Sequence, residues 1–311
     1  MFPNHVGRCD HEQSCGYHFT PSMYFSEHPD RRPAEDTARK QLLLPHPCPA
    51  TSYIDRNIME NSLQGYDANP LFHYLSSWIG EEAAGNLFRL YNVGTSKQWG
   101  GSTVYWQVDS ESRIRTGKIM AYDSTTGHRI KGDRVYVTWV HSVLKLPDFH
   151  LRQCFFGEHL LPLCTGKPVA VVESEKSALI AAHFMPEMVW LATGGSNGCL
   201  NAEAAKVLQG RDVMLVPDLG MTDKWRQKSH VFSPYCSSIV VSDCLERLST
   251  PEQREQGLDV ADFLEAFAKE SDTPKYSNRP KTPHEMLDDM IARNPCIQQL
   301  IDDLDLVLVE D

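Results

Sequence analysis

The stretch VAVVESEKSALIAAH, residues 169–183, decides the fold of this chain. It opens with a short, continuously apolar run that ends on Glu173, and a helical pattern follows at once. Such runs are typical of strands in parallel sheets, where helices cover both faces. We therefore expect Glu173 to lie at the carboxyl edge of a parallel sheet, where it would act with at least one Asp on metal ions and phosphates.

The same strand–helix rhythm continues along the chain. The turn GGSNG (194–198) and the helical pattern NAEAAKVLQG (201–210) are flanked by three further predicted strands, MVWLAT (188–193), DVMLVPD (212–218) and SSIVVSD (237–243). Alternation of this kind predicts an α/β domain with a parallel, Rossmann-like sheet.

The chain upstream has a different pattern. Asn69-Pro70 begins one predicted helix, Gly80 ends it, and a second follows over residues 81–90. An antiparallel β region is then predicted from STVYWQVD (102–109), RIRTGKIMAYD (113–123) and RVYVTWVH (134–141), with a turn at DSTTGHR (123–129). Near the end of the chain, residues 282–309 predict two short helices, the second beginning at Asn294-Pro295.

Composition bounds the class of protein. The 311 residues suit two domains, and a hydrophobic content of 41% is that of ordinary globular material. Nine scattered cysteines favour reduced thiols over a disulfide framework. The sequence has neither an apolar run long enough to span a membrane nor an N-terminal signal core, so we expect a cytoplasmic protein.

Charge is unevenly distributed. The net charge of −11 argues against a general nucleic-acid coat protein. Residues 87–153 nevertheless carry ten Lys and Arg against five Asp and Glu, whereas residues 243–311 carry seven against seventeen. The middle of the chain could therefore face phosphates, although a solvated basic surface would give the same count.

Three predicted strands end in residues that could bind a metal ion or a phosphate. Glu173 ends the first strand, Thr193-Gly194-Gly195 the second and Asp218 the third. Unpaired carboxylates are costly in a core, but they are good ligands for Mg²⁺, which commonly bridges one or two carboxylates to substrate phosphates. Gly194 and Gly195 would let the backbone approach a phosphate closely.

These motifs together resemble the toprim domain of primases, topoisomerases and related nucleases. The resemblance covers roughly residues 60–265 and is carried by VVESEKSALIAA, LATGGSNG, LVPDLG and GLDVADFL (257–264), the last similar to the Gly-x-Asp-x-x-Asp segment that follows the toprim core in bacterial-type primases. Residues 102–129 and CFFGEHLL (154–161) are similar to the basic β-rich subdomain that precedes toprim there. The whole chain looks most like uncharacterised toprim proteins of conjugative and other mobile elements.

The resemblance implies roles for particular residues. Glu173 matches the toprim Glu, a general acid/base or metal-orienting group, and Asp218 matches the first Asp of the Asp-x-Asp pair. The second Asp falls at Gly220 and is absent, which puts two-metal nucleotidyl transfer in doubt. Asp223, or Asp243 at the end of the next strand, could substitute in space.

Structural alternatives exist for each of these residues. Glu173 could be an acid favoured by the helix dipole, and Asp218 a simple turn residue. Lys176 could bind phosphate or merely be solvated. Only their positions in the tertiary structure decide between these readings.

The N-terminal segment GRCDHEQSCGYH contains Cys9 and Cys15, with His11 and His18 nearby. The spacing is similar to the second knuckle of a zinc ribbon, which primases carry before the catalytic core. A closed zinc site needs four ligands, and the first Cys pair is missing. We expect either a zinc ribbon truncated by an internal start at Met1 or a remnant that binds no zinc.

Basic and aromatic residues alternate in the middle region. Arg113 and Arg115 would share one face of a strand that also carries Lys118, and Arg129 lies on the next. Aromatic side chains lie between them, namely Trp99, Tyr105, Trp106 and Trp139. This pattern suits single-stranded nucleic acid, and a half-buried sheet with a charged outer face is the alternative.

The predicted organisation has five parts: a zinc-ribbon remnant (1–25), a linker (26–55), an α+β primase-like basic subdomain (56–164), a toprim domain (165–270) and an acidic helical tail (271–311). The predicted function is a primase-like protein of a mobile element that binds single-stranded DNA and nucleoside triphosphates, with Mg²⁺ or Mn²⁺ as cofactor. The alternatives are a catalytically impaired binding module and a toprim nuclease. No Walker motif is present, so unwinding would need a separate helicase or mobilisation protein.

Overall fold

The computed structural model describes residues 3, 6–8, 18–31, 49–132, 134–195, 198–271 and 291. The chain divides into two units, residues 1–50 and 51–311. Cys9, Cys15, much of the predicted linker and the predicted C-terminal helices lie outside the described residues. Within the described ranges, no helix is long and apolar enough to cross a membrane.

In the residues of the first unit that the structure describes, a small hairpin precedes a helix. Strands β1 (Gly7–Arg8) and β2 (His18–Phe19) pair antiparallel. Helix α1 (Pro21–Glu27) follows, and the Thr20 side chain caps it by accepting a hydrogen bond from the Met23 N–H at 3.2 Å.

The second unit begins with three helices and an antiparallel sheet of order β3-β4-β5-β6. Asn69 caps α3 and Pro70 opens it, as the sequence predicts, because the Asn69 side chain accepts hydrogen bonds from the first free N–H groups of the helix. The elements are α2 (Arg56–Glu60), α3 (Pro70–Ile79), α4 (Glu81–Leu90), β3 (Val93–Ser96), β4 (Ser102–Val108), β5 (Ile114–Met120), β6 (Val137–Trp139) and α5 (Val140–Val143).

A parallel sheet of order β10-β9-β7-β8 follows, which confirms the predicted mixed α/β fold with a parallel sheet. Strands β7 and β8 are buried along their whole length, as expected where helices cover a parallel sheet. The elements are β7 (Val169–Val172), α6 (Glu175–Phe184), β8 (Val189–Ala192), α7 (Ala202–Ala205), β9 (Asp212–Leu215), α8 (Thr222–Phe232), β10 (Ser238–Val241), α9 (Cys244–Leu248), α10 (Pro251–Gln256) and α11 (Val260–Ser271).

One apolar core joins the two sheets. Residues of α3, α4 and the antiparallel sheet pack in the same cluster as β7, β8 and α6. The Tyr91 hydroxyl donates to the Trp190 carbonyl at 3.0 Å, and Phe156 forms an antiparallel bridge with Ala192. The predicted boundary at residues 164–165 therefore falls where strand pairing changes from antiparallel to parallel, while the core continues across it.

Candidate functional site

The candidate site is a cleft of about 510 Å³ at the carboxyl edge of the parallel sheet. Glu173 directly follows β7, and Asp218 follows β9 after two further residues. Because β7 and β9 are parallel neighbours, both acids reach the same edge and both line the cleft. The structure thus brings together the two acids that the strand pattern singled out.

The cleft is lined by side chains of both charges. Its acids, which we call the acidic wall, are Glu173, Glu175, Asp218, Asp259 and Asp262. Its basic residues, which we call the basic wall, are Lys118, His128, Arg129, Lys131 and Lys176. Such a lining offers oxygen ligands to a cation and N–H donors to phosphates.

The Asp218 carboxyl has a strongly raised pKa. Burial raises the pKa of Asp218 to about 8, and the negative charges of Asp259, Glu173 and Asp262 add to the effect. No hydrogen bond to its carboxylate is present within the described part of the chain. In the absence of a cation this carboxyl therefore stays protonated at neutral pH, and a bound cation would favour its ionised form.

Asp259 and Asp262 were not predicted as site residues. They belong to GLDVADFL, which is part of the toprim-like resemblance through its Gly-x-Asp-x-x-Asp spacing. The resemblance assigns no role to these two acids. A backbone hydrogen bond of 3.1 Å from the Leu219 N–H to the Leu258 carbonyl holds this segment beside the Asp218 loop. Burial raises the pKa of Asp262, and the neighbouring charge of Asp259 raises it further.

The same two acids also have a structural role. Oδ1 of Asp259 accepts hydrogen bonds from the Ala261 and Asp262 N–H groups, and Oδ2 of Asp262 accepts one from the Asp259 N–H at 2.9 Å. This reciprocal arrangement caps α11. Because a carboxylate has about four lone-pair sites, capping leaves acceptor capacity for a cation.

The glycine turn after β8 borders the cleft. Gly194 and Gly195 have φ of +78° and +132°, a backbone conformation that other residues rarely adopt. The Gly194 N–H donates to the Glu173 carbonyl at 3.1 Å, which connects the turn to the residue that follows β7. Gly195 lines the cleft, whereas Gly194 contributes its carbonyl to Lys118 at 3.1 Å.

Lys176 is a buried residue of the cleft wall, so it is not the solvated lysine of the alternative reading. Its ammonium donates to the Gly127 carbonyl at 3.3 Å. Gly127 belongs to the turn 123–129, which the Asp123 carboxylate stabilises by accepting from the Thr125 and Thr126 N–H groups. These hydrogen bonds hold the basic turn against the first turn of α6.

Three predicted nucleic-acid ligands are separated by the fold. Arg113 and Arg115 share one face of the strand, as predicted, and both donate to Oδ2 of Asp109, at 2.9 and 2.8 Å. Both guanidinium groups also lie over the Tyr53 ring, 5.0 and 5.3 Å from its centroid. Lys118 lies on the opposite face, because its position differs by an odd number of residues, and only Lys118 and Arg129 of the predicted set line the cleft.

Two of the predicted stacking aromatics are core residues. Tyr105 and Trp106 are 0% and 1% exposed, so neither ring can stack on a base. Trp99 is partly exposed and contacts Tyr136 edge-on. The interleaving of basic and aromatic residues along the strand therefore does not form one surface.

Neither acid proposed to replace the missing toprim Asp lines the cleft. Asp223 is exposed on α8 and pairs with Arg226 at 3.0 Å, and Asp243 pairs with Arg247 at 2.9 Å. Gly220 itself has φ of +80°, and its N–H donates to Glu246 at 2.8 Å. In space, Asp259 and Asp262 are the additional acids near Asp218.

Across residues 49–132, 134–195 and 198–271, no group of three or more His, Cys, Asp or Glu is arranged to hold a metal ion unaided. The donor set of the acidic wall nevertheless fits a hard cation. Mg²⁺ typically takes one or two carboxylates and completes its coordination with water and substrate phosphates. Asp218, whose pKa is raised by burial and by the neighbouring acids, is the carboxyl whose ionised form a cation would favour most.

Two family models match the chain. A domain of unknown function (DUF6371) matches residues 69–219, and a zinc beta-ribbon finger matches residues 1–30. A search of curated proteins found no match.

Several solved structures of primases are similar to the chain. The E. coli primase catalytic core is 12% identical, with 82% of this chain and 97% of that chain covered and a TM-score of 0.42. The RNA polymerase domain of Mycobacterium tuberculosis primase DnaG is 12% identical, with 77% and 96% covered and a TM-score of 0.42. The primase fragment of the bacteriophage T7 primase-helicase protein is 14% identical, with 56% and 70% covered and a TM-score of 0.30. The similarity to primase catalytic cores is thus a distant one.

Proposed function

We propose that this chain is a toprim-type, primase-like nucleotidyl transferase that binds single-stranded DNA and nucleoside triphosphates at the cleft. The observation that carries the proposal is a cleft at the carboxyl edge of a parallel sheet that is lined both by acids, Asp218 among them, and by basic residues, Arg129 among them. The toprim-like motifs of the sequence supply the reaction class, because their Glu173 and Asp218 both line this cleft.

The acidic wall would hold Mg²⁺ or Mn²⁺ through Asp218, with Asp259 and Glu173 beside it. A bound ion of this kind neutralises phosphate charge and favours displacement at phosphorus. Glu173 would accept the proton of an attacking hydroxyl, a role that a carboxylate beside a cleft can perform. The chain itself thus supplies a proton acceptor and a set of oxygen ligands.

The basic wall would bind phosphates of the nucleotide or of the DNA strand. Arg129 and Lys131 are exposed and lie on the connection between β5 and β6, whereas Lys118 and Lys176 are buried deeper in the cleft. Cations at two depths suit a ligand whose phosphates enter the cleft while its remaining part stays outside.

Gly220 favours a second candidate function, a toprim scaffold that binds DNA or a protein partner without full catalysis. The missing carboxylate weakens metal binding unless Asp259 or Asp262 compensates for it. A nuclease using the same acids is the third candidate. A role in a mobile element, with a separate helicase or mobilisation protein, is part of the proposal and follows from the overall sequence resemblance.

Primer synthesis from labelled nucleotides on single-stranded templates tests the proposal, with nicking of supercoiled DNA measured in parallel. Glu173→Gln and Asp218→Asn should each lower synthesis by about 10²-fold or more. Asp223→Asn is the matched control, since this acid is exposed outside the cleft. Nicking without synthesis would favour the nuclease, and DNA binding without either activity would favour the binding module.

Zinc binding through Cys9 and Cys15 is a further part of the proposal, and the zinc beta-ribbon match over residues 1–30 supports it. Metal analysis of the purified chain should find zinc, and Cys9→Ser with Cys15→Ser should remove it. Zinc content that the double substitution leaves unchanged would exclude these ligands.

A further inference from the structure

A buried ion pair joins the two sheets at the cleft. The Lys118 ammonium, on β5, donates to Oε2 of Glu175, on the first turn of α6, at 3.1 Å. Their side chains are 11% and 3% exposed. A second hydrogen bond from the same ammonium reaches the Gly194 carbonyl at 3.1 Å. The pair therefore connects β5, α6 and the glycine turn at a single nitrogen atom.

The ammonium retains capacity for a ligand. A lysine has three N–H donors, and in the described part of the chain Lys118 donates to two acceptors, Glu175 and Gly194. Lys118 and Glu175 both line the cleft, next to Gly195 and Lys176. A ligand oxygen that enters the cleft could therefore take the third donor.

The surroundings of Glu175 are unusual for a purely structural pair. Oε1 of Glu175 and both polar atoms of the Gln107 amide are buried without a hydrogen-bond partner among the described residues. An added Cβ on Gly194 would lie 3.3 Å from Oε1 of Glu175 and 3.5 Å from Nε2 of Gln107. Unsatisfied buried polar groups are costly, so these atoms have capacity for a hydrogen bond to a water or a ligand.

We propose that Lys118 is a phosphate-binding residue of the cleft and that Glu175 is its positioning residue. Glu175 compensates the buried charge of Lys118 and holds the ammonium so that its remaining donor faces the phosphates. The inference rests on the proposed function in that phosphates are taken to enter this cleft. It adds a residue, Glu175, that neither the strand pattern nor the toprim-like motifs assign.

Two effects of Glu175 on an anion oppose each other. Its own negative charge repels phosphates, so a purely electrostatic role predicts that Glu175→Gln strengthens phosphate binding. Positioning predicts the reverse, because Lys118 loses the partner that holds it in place. The sign of the change therefore separates the two roles.

The test is titration calorimetry of the full chain with inorganic tripolyphosphate, without Mg²⁺ or DNA, together with thermal unfolding. Glu175→Gln should weaken binding by about tenfold, the loss expected for one charge-assisted hydrogen bond. Glu175→Asp, which keeps the charge, should recover part of it. Glu203→Gln is the control, since Glu203 pairs with Lys206 at an exposed position. Unchanged or tighter binding by Glu175→Gln would overturn the positioning role.

A double variant covers the case in which Glu175→Gln fails to fold. Lys118→Met with Glu175→Met replaces the buried pair by apolar groups, a change that proteins often tolerate without loss of stability. It should unfold at or above the wild-type temperature yet bind tripolyphosphate at least tenfold more weakly. Wild-type affinity in this variant would show that the pair is structural only.

The result of the tripolyphosphate titration can be distinguished from the result of the primer-synthesis assay that tests the proposed function. If the wild type binds tripolyphosphate and both Glu175→Gln and the double variant bind it more weakly, the inference stands even when primer synthesis is absent. If the wild type does not bind tripolyphosphate, the inference fails even when primer synthesis is present.

Discussion

The Ser177 hydroxyl donates a hydrogen bond of 2.7 Å to Oδ2 of Asp259, across 82 residues of chain. This contact joins the first turn of α6 to the segment that precedes α11. It orients Asp259 toward the acidic wall while Oδ1 of the same carboxylate caps the helix. The two parts of the toprim-like sequence signature are therefore held together by side chains at the cleft.

Removing this hydroxyl should loosen the acidic wall. Ser177→Ala should weaken Mn²⁺ binding about tenfold, because Asp259 loses a donor that fixes its orientation while its capping hydrogen bonds remain. Calorimetric titration with Mn²⁺ measures the change. Ser229→Ala, on the exposed part of α8, is the control. Wild-type affinity in Ser177→Ala would place Asp259 outside the metal site.

The contribution of Asp218 to the stability of the metal-free protein should fall as pH rises from about 4 to about 8. The Asp218 carboxyl keeps its proton up to about pH 8 in the folded state, but an unfolded Asp loses it near pH 4. The folded state therefore holds this proton through a window in which the unfolded state does not, so the stability contribution of this carboxyl decreases with pH. Denaturant unfolding at a series of pH values measures the slope.

Asp218→Asn should reduce that slope. Part of it should remain up to about pH 7, since burial raises the pKa of Glu158 to about 7 as well. Mn²⁺ affinity of the wild type should rise with pH through the same window, because a proton must leave Asp218 for the metal to bind. A slope identical in wild type and Asp218→Asn would contradict the shifted pKa of Asp218.

Restoring the toprim Asp should destabilise the protein without improving the site. Gly220 has φ of +80°, so Gly220→Asp should cost about 1 kcal/mol although a Cβ there meets nothing within 4 Å. Gly166→Asp is the matched control, since Gly166 has the same open space without the positive φ. Because Gly220 does not line the cleft, Mn²⁺ affinity should not increase. An increase would show that the position of the missing acid is still functional.

Arg129 and Lys131 should contribute to DNA binding, whereas Arg113 and Arg115 should act mainly on stability. Arg129→Ala with Lys131→Ala should weaken binding of single strands and lower the salt slope by about 1.4, since two cations of the cleft wall are lost. Fluorescence anisotropy at several salt concentrations measures both quantities. Lys145→Ala with Lys224→Ala, outside the cleft, is the control. An unchanged slope in the first variant would mean that this wall does not bind DNA.

Arg113→Ala with Arg115→Ala should mainly lower stability. Burial acts to raise the pKa of Asp109, but hydrogen bonds from the Arg113 backbone and from both guanidinium groups lower it overall. Without these partners the buried carboxylate keeps only backbone donors, at a cost of about 2 to 3 kcal/mol. Arg115 should account for most of the loss, because Arg113 is 40% exposed in its side chain. Unfolding in urea measures the loss, and unchanged stability would contradict it.

The sequence by itself determined the alternation of β7, α6, β8 and β9 and the edge at which Glu173 and Asp218 lie. These features depend on local physics, since period-2 and period-3.6 patterns and helix caps are read within a few residues. Asn69-Pro70 and the continuously apolar β7 specify their own elements for this reason. The carboxyl ends of parallel strands must then meet at one edge, whatever the connections between them.

Only the tertiary structure decided which other side chains share the cleft. Lys118 meets Glu175 and Ser177 meets Asp259 through contacts between distant segments, and no local periodicity encodes such a pairing. The same is true of Arg113 and Arg115. A basic strand pattern assigns them to DNA, but in the fold both pair with Asp109. Long-range pairing depends on how the two sheets pack on their common core, because that packing sets which strand face meets the parallel sheet.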